Sequence, residues 1–389
     1  MSRGPAPRIR VGLALACAGL AAGCGARTAT VAVTRPSAVT ASLSTSLTTA
    51  QGTWAIAVMG GSAASHNNFW QLFVRRANTG RWSLATPEGV ADNGGLVAAG
   101  GNGSLLVGFR PSQELAYSPL ATSTDTGLNW TPGLLDAALA DTPGAIAVGP
   151  SGRTLALLQD GTIDAAPTAD DAAAGRWLPL ATLKALAASA PGRSCGLKGM
   201  TAVSFGPDQN PIAAGSCVRP GAAGVFTDAG GTWRSAGLTL PGNDAGMSTV
   251  RVLGLTAIPG GNAALLAVGT SLLAAWWHGT RWTVSAPVTA DGVRALGFGP
   301  GGSAWLLLDS ERAETIAGAA GSTWRALPPV PTGTAVLAPP GTGTLAPGTG
   351  GSYDALAVSG SRLTVWRLAR GAWGKVQQIT VPVQYGSSG

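Results

Sequence analysis

Side chains able to carry chemistry are sparse in this chain, and their spacing narrows what they could do. His66 and His278 are the two histidines, and neither has a cysteine or carboxylate at ligand spacing, so no metal centre is expected. A Ser–His–Asp triad would have to use one of them, and no nucleophile elbow is present. Of the 18 acids, four are glutamates: Glu88, Glu114, Glu311 and Glu314. The last two read as solvated charge in a loop. Nothing in the sequence implies a cofactor, and no catalytic residue is assigned. Cys195 and Cys217 stand 22 residues apart on either side of an apolar hairpin pattern, which brings them toward one end of it. In an oxidising compartment they are expected to form a disulfide, worth on the order of 3 kcal/mol in the chain-entropy model.

The compartment is read from the N-terminus. Arg3, Arg8 and Arg10 precede Val11–Ala22, a run of apolar and small residues too short to span a bilayer. It ends in Leu20-Ala-Ala-Gly-Cys24, which resembles a bacterial lipobox, although the usual leucine stands one place early. The resemblance implies a signal peptide over residues 1–23, lipidation of Cys24, and export to the outer face of the cell membrane. A freely secreted protein, cut after an A-x-A-like site, is the alternative. Residues 24–50 are rich in Ala, Ser and Thr and read as a flexible tether, leaving residues 51–389 for a folded body. Removing residues 1–23 lowers the formal charge from +7 to +4, and the surplus forms no aromatic-interleaved basic run. Nucleic acid is therefore not an expected partner.

The folded body is repetitive. Seven of the 13 tryptophans follow a glycine turn, at Trp82, Trp130, Trp177, Trp233, Trp282, Trp324 and Trp373, with spacings of 48, 47, 56, 49, 42 and 49 residues. About half a period earlier lies a second Gly/Pro turn, such as Gly149-Pro-Ser-Gly or Gly299-Pro-Gly-Gly, flanked by short apolar runs. Two markers at one period predict an all-β, seven-bladed β-propeller of four-stranded antiparallel blades. Naming the strands a to d outward from the axis, the second marker is the a–b turn and the tryptophan opens strand d. The inner strand of the first blade is the uncertain one. Ile379–Tyr385 is the better match to a buried strand, and the Ser/Thr-rich stretch at 42–50 is the alternative.

Ser123-Thr-Asp125-Thr-Gly127-Leu-Asn-Trp130 resembles the Asp-box of sialidases and sortilin-like receptors in full, and Asp228-Ala-Gly230-Gly-Thr-Trp233 does so except for Phe226 at the serine position. The Asp-box is a structural device: its carboxylate takes backbone N–H groups of its own turn, glycine supplies a positive φ and tryptophan covers the hairpin. The resemblance to sialidases implies an arginine triad, a Tyr/Glu pair and an acid. Only Phe109-Arg110-Pro111 faintly matches the arginine motif, and none of Tyr117, Tyr353 and Tyr385 has a recognisable glutamate partner.

Propeller connectivity puts the a–b and c–d turns at one end and the b–c and d–a loops at the other. The d–a segments are longer and more varied: Thr86–Gly95, Pro132–Pro143, Pro179–Ser194, Leu238–Thr249 and Pro328–Thr332, the third with a short helix over Leu180–Ser189. Asp136, Asp141, Arg193 and Arg219 are the candidate binding residues of that end. The expected function is a non-enzymatic binding or assembly scaffold for a protein, peptide or glycan, comparable to lipid-tethered assembly-factor propellers. A sialidase-like glycoside hydrolase is the alternative.

Overall fold

A computed structural model describes residues 43–60, 68–77, 79–87, 95–100, 102–109, 116–240, 249–290, 292–318, 323–339 and 353–381. Cys24, His66, Glu88, Arg110, Glu114 and Tyr385 lie outside them.

The chain folds as successive four-stranded antiparallel meanders, each ordered a-b-c-d in sequence and in space. The first comprises Ser44–Thr48, Gly52–Gly60, Asn68–Arg76 and Trp82–Leu84. The second comprises Gly95–Ala99, Leu105–Phe109, Ser118–Ser123 and Thr131–Leu135, and the third Ile146–Val148, Thr154–Leu157, Ile163–Ala166 and Leu178–Ala181. In the fourth, Leu197–Phe205, Pro211–Cys217 and Ala222–Asp228 are followed by Trp233–Ser235, and Leu238–Thr239 pairs back onto strand c. The fifth has Val250–Ile258, Gly261–Val268, Ser271–Trp277 and Trp282–Val284, with Val288–Thr289 pairing back in the same way. Val293–Phe298, Ala304–Leu308, Ala313–Ile316 and Arg325–Ala326 form the sixth, and Thr334–Ala338, Asp354–Ser359, Arg362–Ala369 and Ala372–Thr380 the seventh.

Strand b is largely buried on both faces, so it reads as a mostly apolar run without alternation. Gly261–Val268 is buried at every position. The apolar clusters are shared between neighbours. Trp54 and Trp70 of the first meander pack with Leu105 and Val107 of the second. Ala55 and Phe73 of the first also pack with Trp305 of the sixth and Leu356 of the seventh, so the series closes on itself.

Three of the repeating tryptophans sew one meander to its predecessor. The indole N–H of Trp282 donates to the Ala236 carbonyl (2.6 Å), and that of Trp373 to the Pro328 carbonyl (3.2 Å). Trp82 donates to the Asp354 carboxylate (2.8 Å) across the joint between the last meander and the first. At that joint Asp354 is fully buried and also takes Arg75 Nη1 (2.5 Å) and Arg367 Nε (2.8 Å). The Gln377 side chain completes it, accepting from Trp82 N–H (3.0 Å) and donating to the Trp82 carbonyl (2.6 Å).

The innermost strand of the first meander is Ser44–Thr48, not Ile379–Tyr385. It pairs antiparallel with Gly52–Gly60 and parallel with strand a of the sixth meander, from Ser44 opposite Ala295 to Ser46 opposite Gly297. The folded body thus begins before residue 51. Ile379 and Thr380 instead end the outer strand of the seventh meander. Small residues suit the inner position: Ser46 Oγ donates to the Leu337 carbonyl (2.7 Å), and a Cβ on Gly297 would lie 2.5 Å from the Ser46 carbonyl oxygen. Inner strands also meet at Gly144, which bridges in parallel to Ala202 and leaves no room for a side chain there.

Candidate functional site

The two ends of the meanders differ in how they use polar groups. At the a–b and c–d end the polar side chains are committed to turns. Asp125 accepts from the Leu128 and Asn129 N–H groups (3.0 and 2.9 Å), from the Asn129 amide (2.6 Å) and from Ser123 Oγ (2.7 Å). Partial desolvation, the largest single influence, works to raise its carboxyl, but the hydrogen bonds from Asn129, Ser123 and Leu128 outweigh it and hold the group down at about 2. Gly127, at φ +82°, passes under Trp130, where a Cβ would come within 3.3 Å of the indole. Asp228 is buried and accepts from Gly231 N–H (2.7 Å), with Trp233 opening strand d beyond Gly230 and Gly231. Asp208 takes the main-chain and side-chain nitrogens of Asn210.

Of the three tyrosines, Tyr353 also sits at this end, just before strand b of the seventh meander. Burial pushes its hydroxyl up to about 12, against a hydrogen bond with Thr315. Such a phenol stays protonated, unlike a nucleophile. The convergent arginines of the described residues, Arg75 and Arg367, meet here on Asp354 rather than at the opposite mouth. Desolvation lowers the Arg75 guanidinium, and the hydrogen bond to Asp354 raises that of Arg367.

The b–c and d–a end is built differently. The connection between the third and fourth meanders holds two short helices, α1 (Leu183–Ala188) and α2 (Ala190–Cys195), where one was expected. Thr182 caps α1 by accepting from Ala185 N–H (3.1 Å), and Ser189 caps α2 by accepting from Gly192 N–H (3.1 Å). Gly196 ends α2 in the left-handed region at φ +66°. Cys195 is joined to Cys217, the last residue of strand b, so α2 is stapled to the fourth meander. Arg219 N–H donates to the Cys195 carbonyl (3.2 Å) and Val218 N–H to the Gly196 carbonyl (2.8 Å), which fixes the b–c loop against the helix. α1 rests on the third meander, where Leu183 covers Gly161.

The four candidate binding residues fall into two pairs. Arg193 and Arg219 are both exposed beside the disulfide, and the Arg193 guanidinium bonds the Ala188 carbonyl at the end of α1. Asp136 and Asp141 are exposed together in the segment joining the second and third meanders. Gln159 N–H donates to the Ala138 carbonyl, which brings the Asp160 turn against that segment. The nearby Asp164 is half-buried, with desolvation first and Asp160 second raising its carboxyl. Glu311 occupies the expected b–c turn, but Glu314 does not. It lies within strand c, buried and paired with Arg312 (3.1 Å), because the turn closes at Arg312.

Between α2 and the outer edge of the fourth meander is a small cleft of about 80 Å³. Its floor is Gly224, the Phe226 ring and Cys195, and its rim carries Arg219, Ser194 and Ser235. Gly224 makes the space: a Cβ there would stand 2.7 Å from the Phe226 ring and 3.3 Å from Cys195 Sγ. Ser235 Oγ accepts from Gly237 N–H (3.0 Å) and keeps its own hydrogen to donate. Neither the cleft nor the Asp354 cluster was foreseen, since both join residues from separate strands. Among the described residues no three metal-capable side chains converge.

No protein-family model matches the chain, and no curated protein is similar to it in sequence. Solved structures are similar in fold. A candidate 6-phosphogluconolactonase from Bacteroides fragilis superposes with a TM-score of 0.54 at 12% identity, over 84% of this chain and 95% of its own. A GH74 xyloglucanase from Xanthomonas campestris gives 0.53 at 14% identity, over 85% of this chain and 52% of the enzyme. A protein from Lactobacillus plantarum gives 0.52 at 14% identity, over 85% and 97%. The fold is a β-propeller. At these identities the likeness extends to the fold and not to an activity.

Proposed function

We propose that the chain is an exported lipoprotein, anchored through Cys24, whose seven-bladed propeller of Asp-box type is a non-enzymatic scaffold that captures a protein or peptide at its b–c and d–a end. The first and sixth meanders, joined through Ser44–Thr48 and Val293–Phe298 into one eight-stranded sheet, count as one blade each, which gives the seven. The Asp125 turn supports the Asp-box reading, because its carboxylate gathers the N–H groups of its own hairpin. The observation that carries the functional reading is the contrast between ends. The turn end spends Asp125, Asp208 and Asp228 on its own backbone and buries Asp354 in the closing joint, while the loop end carries a capped, disulfide-stapled helical insertion and exposed charge on a rigid support.

Capture from native membranes tests it. Reversal of Arg193, Arg219, Asp136 or Asp141 should weaken recovery of the partner while moving stability by less than about 0.5 kcal/mol. Reversal of Lys375 or Arg81, on exposed outer edges away from that end, should not. The opposite pattern refutes the assignment of the face, and glycoside cleavage that depends on Arg110 refutes the non-enzymatic part. Cys24→Ala should move the protein out of the detergent phase, and identical partitioning of mutant and wild type would refute the anchor.

A further inference from the structure

Charge at the loop end of the third and fourth meanders is segregated. Between Asp171 and Asp228 the chain has a single acid, Asp208, and that residue sits in an a–b turn at the other end. Over the same interval Lys184, Arg193, Lys198 and Arg219 are all exposed around α1, α2 and the start of the fourth meander. Among the described residues, the side chains of Lys184, Lys198 and Arg219 have no hydrogen-bond or ion-pair partner. The third meander and the segment leading into it carry the opposite sign, with Asp136, Asp141, Asp160 and Asp164 at the same end. A basic field of this kind draws in an anionic partner and sets its orientation.

The cleft lies inside the basic half. Its volume, about 80 Å³, is well below the roughly 300–1,000 Å³ of pockets that enclose whole small molecules. It suits one side chain. An apolar floor with a guanidinium and a hydroxyl on the rim matches the methylene stem and carboxylate of a glutamate. Resting on the binding role above, we infer that the α2–Cys195–Arg219 cleft receives an acidic side chain from an extended, glutamate-rich peptide segment of the partner. Arg219 and Ser235 would donate to its carboxylate, and Lys184, Arg193 and Lys198 would attract the flanking acids. A membrane surface fits less well, because the recess is concave and no exposed aromatic side chain lies on α1 or α2 to enter the lipid interface.

The test uses the full chain in detergent and fluorescein-labelled hexaglutamate, followed by anisotropy at low and moderate salt. Hexalysine and vesicles of phosphatidylglycerol serve as the other probes. Hexaglutamate should bind and hexalysine should not. Arg219→Glu should weaken binding by about tenfold or more, as expected for loss of one charge-assisted contact. Ser235→Trp fills the cleft from its exposed rim without altering charge, and it should weaken binding comparably. Arg325→Glu, on the outer strand of the sixth meander, should leave binding unchanged. No hexaglutamate binding at low salt overturns the inference, as does binding indifferent to both Arg219→Glu and Ser235→Trp. Vesicle binding that falls with Arg219→Glu while hexaglutamate does not bind assigns the patch to lipid instead. If native capture is lost on reversing Asp136 or Asp141 but hexaglutamate does not bind, the scaffold reading stands and only this inference fails.

Discussion

Replacing Asp354 by asparagine should open the joint between the last meander and the first. Asp354 has no exposed surface and takes four donors: Arg75 Nη1 at 2.5 Å, Trp82 Nε1 at 2.8 Å, and Arg367 Nε and Nη2 at 2.8 and 3.0 Å. The amide removes the negative charge and turns an N–H₂ toward groups that can only donate. Arg75, 8% exposed, keeps the Pro339 carbonyl (2.8 Å) and Thr53 Oγ1 (3.3 Å) but loses its counter-charge. Breaking one side of a buried ion pair typically costs about 3–5 kcal/mol. For a folded body of this length that lowers Tm by about 5 °C. The four strands of every meander are consecutive in sequence, so no exchanged strand compensates for the lost contact. Differential scanning calorimetry of Asp354→Asn measures the loss. The double variant Arg75→Met/Asp354→Leu should recover part of it, since the buried guanidinium is gone and Arg367 is exposed enough to be solvated. An Asp354→Asn melting temperature within about 1 °C of wild type refutes the reasoning, and so does a double variant less stable than the single one.

Because the Asp125 carboxyl is held at about 2 in the fold, against about 3.9 for a free aspartate, its contribution to stability is complete above pH 4. It is lost as pH falls from 4 toward 2, and Asp125→Ala should remove that part of the acid dependence in denaturant titrations. Thr126 stands at φ +63°, unfavourable for a β-branched residue, so Thr126→Gly should stabilise by up to about 1 kcal/mol, read as a higher urea midpoint. Deleting residues 44–48 removes the innermost strand of the first meander and should abolish cooperative unfolding in a thermal melt. A cooperative transition in that variant would contradict its place in the fold.

The period of the fold was legible because the markers are local. Glycine turns and the tryptophan that opens strand d sit within a few residues of each other, and the structure puts each tryptophan at or next to the start of an outer strand. The stretch at 42–50 reads as the weaker of two candidates for the inner strand because apolarity is the wrong signal at the axis. At Ser46 the strand abuts the Gly297 and Leu337 backbones, where a small side chain fits. Asp354 and Arg75 are 279 residues apart, beyond any local pattern. A helix at Ala169–Ala173 could have been found: Thr168-Ala-Asp-Asp171 has capping-box spacing, and Thr168 Oγ1 accepts from Asp171 N–H (3.0 Å). The basic half of the loop end was equally visible as a run of sequence nearly free of acids, but the cleft within it depends on how α2 meets Gly224 and Phe226.

The parallel pairing of Ser44–Thr48 with strand a of the sixth meander also fixes where the chain enters the propeller. Strand a runs from the d–a end toward the a–b end, so Ser44 lies at the loop end, at the innermost position. With a lipid on Cys24, the leash to Leu43 would span at most about 70 Å at full extension. It would be tied to the same end that carries α2 and the disulfide. Under the proposed function, the end from which the chain leaves toward Cys24 would thus also be the proposed capture face.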